Sequence, residues 1–137
     1  MMWFYNGKEF TEEEIGDCVG FVYLITNTQT QRKYIGKKLF TKSKTTQVKG
    51  KKKKTRVSSD WQLYYGSNKV LQEEVDKNGN AMYHRQILHL CRSLSECSYY
   101  ETYEIFVRGA LISDQYYNDW VSCRIRKSNL KSLKGKS

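Results

Sequence analysis

Apolar and β-branched residues first gather in Val19-Gly20-Phe21-Val22-Tyr23-Leu24-Ile25-Thr26, a run that predicts a buried strand. The polar residues 27–31 read as a turn, and Lys33-Tyr34-Ile35-Gly36 as a second strand. A connection that short excludes a crossover, so the two strands should form an antiparallel hairpin. Upstream, Glu12-Glu13-Glu14 predicts one helical turn with Thr11 as its cap.

Residues 41–59 carry almost no apolar side chains, Val48 and Val57 excepted, which fits either a mobile loop or an extended hairpin. Ser67 can cap a helix to about Lys77, with Val70, Leu71 and Val75 inward and Asn78-Gly79 as its stop. Residues 82–90 read as a third strand. Ser95 can cap a second helix ending near Gly109, in which Tyr99, Tyr103 and Phe106 follow the i, i+4, i+7 spacing of a core-facing stripe. Glu101, Glu104 and Arg108 fall on another face, Glu104 and Arg108 as an i, i+4 pair. Beyond it, Tyr116, Tyr117 and Trp120 should pack against the sheet. The order strand, strand, helix, strand, helix predicts an α+β sandwich: a small three-stranded antiparallel or mixed sheet flanked by helices. All 137 residues fit one domain, with a core at about residues 19–125.

Charge sharpens this picture. The net charge is +10, and residues 31–56 hold 12 of the 24 Lys and Arg with no Asp or Glu. The basic insertion, about residues 41–59, contains Lys51, Lys52, Lys53 and Lys54 in a row. A tail from residue 124 to 137 is also basic and free of acids. Such concentration points to a polyanion, with nucleic acid favoured. No basic amphipathic helix supports a membrane surface, and no apolar run approaches the roughly 20 residues needed to span a bilayer.

Cys18, Cys91, Cys97 and Cys123 form no CxxC pair, and His84 and His89 complete no zinc spacing. Without a signal-like N-terminus, reduced thiols and an intracellular, cytoplasmic protein are expected.

The first hairpin resembles the GIY-YIG nuclease family. Phe21-Val22-Tyr23 stands at the first half-motif and Tyr34-Ile35-Gly36 at the second, with the ten residues 24–33 between the tyrosines at the family spacing. Glu101 in Tyr99-Tyr100-Glu101 matches the family's acidic metal ligand, and Tyr117-Asn118 a further element. YIGKK, a basic insertion, Ser59-Asp60-Trp61 and Tyr64-Tyr65-Gly66-Ser67 make the chain most similar to small phage-encoded stand-alone endonucleases. Such a nuclease would work in the host cytoplasm. Two departures stand out: Phe21 replaces the first glycine, with Gly20 adjacent, and lysines fill the stretch where the family places an arginine after YIG.

The resemblance implies a metal-dependent endonuclease acting on double-stranded DNA, with Mg²⁺ or another divalent cation such as Mn²⁺ on Glu101. Glu104 is the competing ligand. Tyr23 would activate water and Tyr34 assist, with Lys37 and Lys38 favouring the phenolate of a group whose ordinary pKa is about 10. Asn118 would orient water or a phosphate oxygen, and Tyr65 is a candidate third phenol. For the phosphate clamp, strand alternation favours Lys38 on the face of Tyr34, and Arg56 would join once DNA orders its loop. Trp61 reads as a core anchor rather than a stacking platform, and both histidines as structural. One site per domain means that a double-strand cut needs a homodimer or two successive nicks. The lack of a separate recognition domain leaves target choice open to an accessory partner. The alternative is a non-catalytic basic nucleic-acid-binding module on the same fold.

Overall fold

A strand buried on both faces must sit inside a sheet, and β3 (Gly20–Asn27) is buried at all but one position. It pairs antiparallel with β4 (Lys33–Leu39) on one side and with β7 (Tyr83–Cys91) on the other. The predicted central three strands are therefore present. Two short strands extend them: β1 (Trp3–Tyr5) lies parallel to β7, and β2 (Lys8–Phe10) turns back on β1. The sheet order is β2-β1-β7-β3-β4, five strands with β4 at an edge. The computed structural model describes residues 2–133, so residues 134–137 of the basic tail lie outside the described residues.

Each face of the sheet carries its own core. On one, Trp3, Phe21, Tyr23, Ile25 and Ile87 pack with Phe40, Trp61 and the inner side of α1 (Lys69–Asn78), Leu71 and Val75. Trp61 is the core anchor expected, and its carbonyl accepts from Trp3 Nε1 at 2.8 Å. On the other face, Val22, Leu24 and Ile35 meet Cys97 and Ile105 of α2 (Leu94–Val107). The α+β class holds, with helices on both sides. No helix among the described residues is long and apolar enough to cross a membrane.

The acidic segment forms a single 3-10 turn, Glu12–Glu14. Residues 41–58 form a two-stranded ribbon, β5 (Thr41–Val48) and β6 (Lys51–Ser58), paired in continuous register from Thr41↔Ser58 to Val48↔Lys51. Of the two readings open to this segment, the hairpin is the one adopted. The ribbon closes at its root, where Ser59 N donates to the Phe40 carbonyl at 2.8 Å and Ser59 Oγ to the Leu39 carbonyl at 2.6 Å.

Three local expectations are corrected. The caps are Asn68, which accepts from Leu71 N, and Ser93, which accepts from Glu96 N, rather than Ser67 and Ser95. Tyr99, Tyr103 and Phe106 do not face the core but are 41%, 48% and 64% exposed. The side of α2 that meets the sheet carries Cys97, Glu104 and Ile105, all buried, with Glu101 half-buried beside them. Trp120 is also turned outward, at 71% exposure, while Tyr117 is buried as expected.

Candidate active site

Directly paired residues of an antiparallel hairpin share a face, as do residues two apart on one strand. Tyr23 pairs with Gly36, so Tyr23, Tyr34, Gly36 and Lys38 all point to one side of the sheet. The two tyrosine rings lie 6.1 Å apart. A bulge between Val22 and Tyr23 against β7 helps to aim the first ring. Gly36 is required by this packing, since a Cβ there would stand 2.5 Å from Tyr23 Cζ.

The two phenols differ sharply in access. Tyr23 is fully buried, with the Tyr64 side chain as the polar neighbour of its hydroxyl. Burial first, then neighbouring Tyr64 and Tyr34, pushes it far above the ordinary phenol range. Tyr34 instead lines an open pocket and shares a hydrogen bond of 3.1 Å with Ser67 Oγ. Its pKa is raised by burial, lowered by Ser67, and raised again by Tyr64, Glu101 and Asp119. The chain reaches Ser67 through Gly66, whose φ of +91° strains any other residue and whose Cβ position would crowd the Tyr34 ring at 3.2 Å. The water-activating phenol expected at Tyr23 is thus shielded from water, and Tyr34 is the phenol open to the pocket.

Glu101 enters the same pocket from the opposite face of the sheet. This is possible because β4 is an edge strand, and α2 carries Glu101 past that edge. Its carboxylate makes no hydrogen bond or close ion pair with any described residue. Burial pushes its pKa up, and the nearby Lys37 ammonium pulls it partly back. Lys37 also lines the pocket and donates to Ser98 Oγ at 2.7 Å. Glu104, the competing ligand, is spent on His89 at 3.2 Å and Arg108 at 3.0 Å. Asp119 and Trp120 complete one side of the pocket. The tripeptide from Asn118 to Trp120 gave no sequence signal for the last two beyond their place after Tyr117-Asn118.

The remaining expected residues are placed as follows. Asn118 lines the pocket, but its amide is committed: Oδ1 accepts from Ile35 N at 2.9 Å and Nδ2 donates to Ile35 O at 2.8 Å. It meets the edge of β4 as a neighbouring strand would. Lys38 does share the face of Tyr34. It pairs with Asp60 Oδ1 at 2.6 Å and sits 4.2 Å above the Tyr64 ring. Arg56 is outside the pocket. Its guanidinium donates to Thr41 Oγ1 at 2.8 Å, Thr41 O at 3.0 Å and Ser43 Oγ at 2.9 Å, clamping the root of the ribbon. Tyr65 is also elsewhere, under the Arg85 guanidinium at 4.2 Å. Its neighbour Tyr64 is instead the third phenol of the group, its ring 5.9 Å from that of Tyr23. Lys51, Lys52, Lys53 and Lys54 stand exposed on the ribbon.

No group of three or more His, Cys, Asp or Glu that could hold a metal exists among the described residues. A cation here would rest on one carboxylate, with waters and phosphate oxygens completing the shell, as a hard ion such as Mg²⁺ accepts. Glu101 fits that part, being half-buried, without a hydrogen bond or ion pair among the described residues, and open to the pocket.

A family model described as "Putative endonuclease segE, GIY-YIG domain" matches residues 3–121. No curated protein and no solved structure matches the chain.

Proposed function

Because the chain belongs to the GIY-YIG family of endonucleases, enzymes that hydrolyse DNA phosphodiester bonds, we propose that it cuts double-stranded DNA with one divalent cation, Mg²⁺ or Mn²⁺, held by Glu101. The observation that carries this reading is the meeting of Tyr34, Lys37 and Glu101 in one pocket at the sheet edge.

Hydrolysis needs a deprotonated water in line with the leaving oxygen and neutralisation of phosphoryl charge. A cation bound at Glu101 supplies part of that neutralisation. Tyr34 is the group that orients the attacking water, and as a phenolate, its own proton released to solvent, it would take the water's proton. Ser67 fixes its oxygen by hydrogen bond and, with the Lys37 ammonium and the bound cation, would work against the burial that raises this phenol. Lys37 lies on the same pocket as a point charge for a phosphate oxygen. Tyr23 is a positioning residue whose ring holds Tyr34 and Gly36 in register. Lys38 holds the Tyr64 ring and Asp60 in place behind it. One such site cuts one strand, so a double-strand break requires two copies or two nicks.

Supercoiled plasmid incubated with the pure protein tests the reading. Relaxed and linear products should form with Mg²⁺ or Mn²⁺, vanish with chelator, and vanish for Glu101→Gln. A protein that binds DNA without cutting in any divalent cation would instead be the non-catalytic binding module.

A further inference from the structure

The ribbon of β5 and β6 is a sheet without a core. No residue from 41 to 58 is buried. The segment carries eight Lys and Arg, no Asp or Glu, and no aromatic residue. Threonine and valine give it strand propensity without any surface to pack on. Its cations repel one another, so its intended partner is a polyanion of matching shape.

Register sorts its side chains onto two faces. Thr41, Ser43, Thr45 and Gln47 share one face with Lys52, Lys54, Arg56 and Ser58, and the alternate residues share the other. At the root of the first face, Thr41, Ser43 and Arg56 line a cleft with Lys37 and Ser98. Lys37 lines the Tyr34–Glu101 pocket as well. The two hollows are therefore neighbours along β4, and a duplex lying over the pocket would meet that first face.

We propose that the ribbon enters the major groove of B-form duplex DNA beside the scissile phosphate, with Thr45, Gln47, Lys52 and Lys54 turned to the base edges. The placement of the scissile phosphate rests on the nuclease reading. The choice of partner rests on the ribbon. A major groove about 12 Å wide admits a two-stranded β-ribbon, and eight-residue strands span roughly 25 Å at about 3.3 Å per residue. Single-stranded nucleic acid is gripped on aromatic platforms, and residues 41–58 have none. The major groove of duplex RNA is too deep and narrow for side chains to read. Gln47 and Thr45 are suited to base edges, Lys52 and Lys54 to guanine acceptors, and the lysines of the opposite face reach phosphates at the groove walls.

The test measures binding in chelator, where nothing is cut, on a 30-base-pair duplex (roughly three turns, longer than the ribbon). Wild-type protein should displace methyl green, a major-groove dye, and tolerate netropsin, a minor-groove ligand. Replacing residues 45–54 by Asn-Gly removes four strand pairs, keeps the Arg56 clamp and closes the shortened hairpin on the Lys44–Thr55 pair with a favoured turn. This variant should lose the dye displacement. Its slope of log affinity against log salt should flatten by about 0.9 for each phosphate that the ribbon no longer neutralises, roughly three units or more. The surface double variant Thr45→Ala/Gln47→Ala keeps every charge, so its salt slope should stay while its cut sites, sequenced from a plasmid digest, spread over more sequences. Competition by netropsin instead of methyl green, or a shortened ribbon with the wild-type slope, would overturn the proposal. Unchanged cut sites in the double variant would overturn the assigned face. Groove binding without cleavage in any divalent cation would uphold the ribbon and sink the nuclease reading.

Discussion

The phenol ring of Tyr23 occupies the space in which any side chain on Gly36 would have to stand. The two half-motifs of the hairpin are thus one packing unit, because the tyrosine of the first fits only against the glycine of the second. Overpacking of a rigid core typically costs about 1–3 kcal/mol. Gly36→Ala should destabilise the protein by about that amount in urea titration. In a Tyr23→Leu background, where the ring is gone, the same change should cost close to nothing. Equal penalties in both backgrounds would show that the collision lies elsewhere.

Glu101 carries a stability cost that the proposed cation site would require. Its carboxyl is raised by burial despite Lys37. The folded state therefore binds its proton at a higher pH than the unfolded chain, whose carboxyl titrates near about 4.3. Between those two values the folded state holds the extra proton, so stability falls as pH rises through the window and the penalty is complete above it. Glu101→Gln should abolish cleavage, leave DNA affinity nearly intact and raise Tm at neutral pH. The gain should disappear in buffers below the ordinary carboxylate range. A lowered Tm at neutral pH would mean that the carboxylate has partners that stabilise it.

Glu104 should behave oppositely. It holds both His89 and Arg108, and removing a buried acceptor leaves its donors unsatisfied at a cost of about 1–3 kcal/mol. Glu104→Ala should lower stability by that order while cleavage per folded molecule survives. Loss of cleavage in a fully folded Glu104→Ala protein would move the metal ligand there.

The two lysines after the motif should separate in kinetics. Lys37 faces the pocket and steadies the ionised form of Glu101, whereas Lys38 is already paired with Asp60. Losing a group that stabilises transition-state charge typically costs on the order of 10²–10³ in rate. Single-turnover rates at saturating DNA should fall by that factor for Lys37→Met and by less for Lys38→Met. Lys37→Met should also shift the acidic limb of the pH–rate profile upward, since the charge that lowers the Glu101 carboxyl is gone. The reverse order of the two variants would assign the phosphate to Lys38.

Much of the frame was readable in the residues. The β3–β4 hairpin announced itself through a long run of apolar, aromatic and β-branched residues and a polar turn. Lys38 fell on the face of Tyr34 because β4 stays regular through Leu39. β1 and β2 were not legible, because three-residue strands are too short for an alternating pattern to stand out. The aromatic stripe of α2 misled because spacing identifies a stripe without saying which one lies on the sheet. Here the side that meets Val22, Leu24 and Ile35 is the one with Cys97 and Ile105. Ser67 looked like a cap and belongs to the site, since its hydroxyl is shared with a tyrosine 33 positions earlier in the chain. Only the tertiary fold could disclose that, just as it disclosed that Asn118 serves the backbone of Ile35.

The ribbon leaves the domain and returns to it at one point, where Phe40 and Ser59 are hydrogen-bonded neighbours and Thr41 pairs with Ser58. Its ends are joined whatever happens at its tip. Strand pairs can be added or removed there two at a time, preserving which side chains face which way, while the hairpin of Tyr23 and Tyr34 feels nothing. With the ribbon as the proposed grip, cutting and gripping would be separately evolvable: a lineage could exchange the grip, as a tool exchanges its bit, and keep the same chemistry.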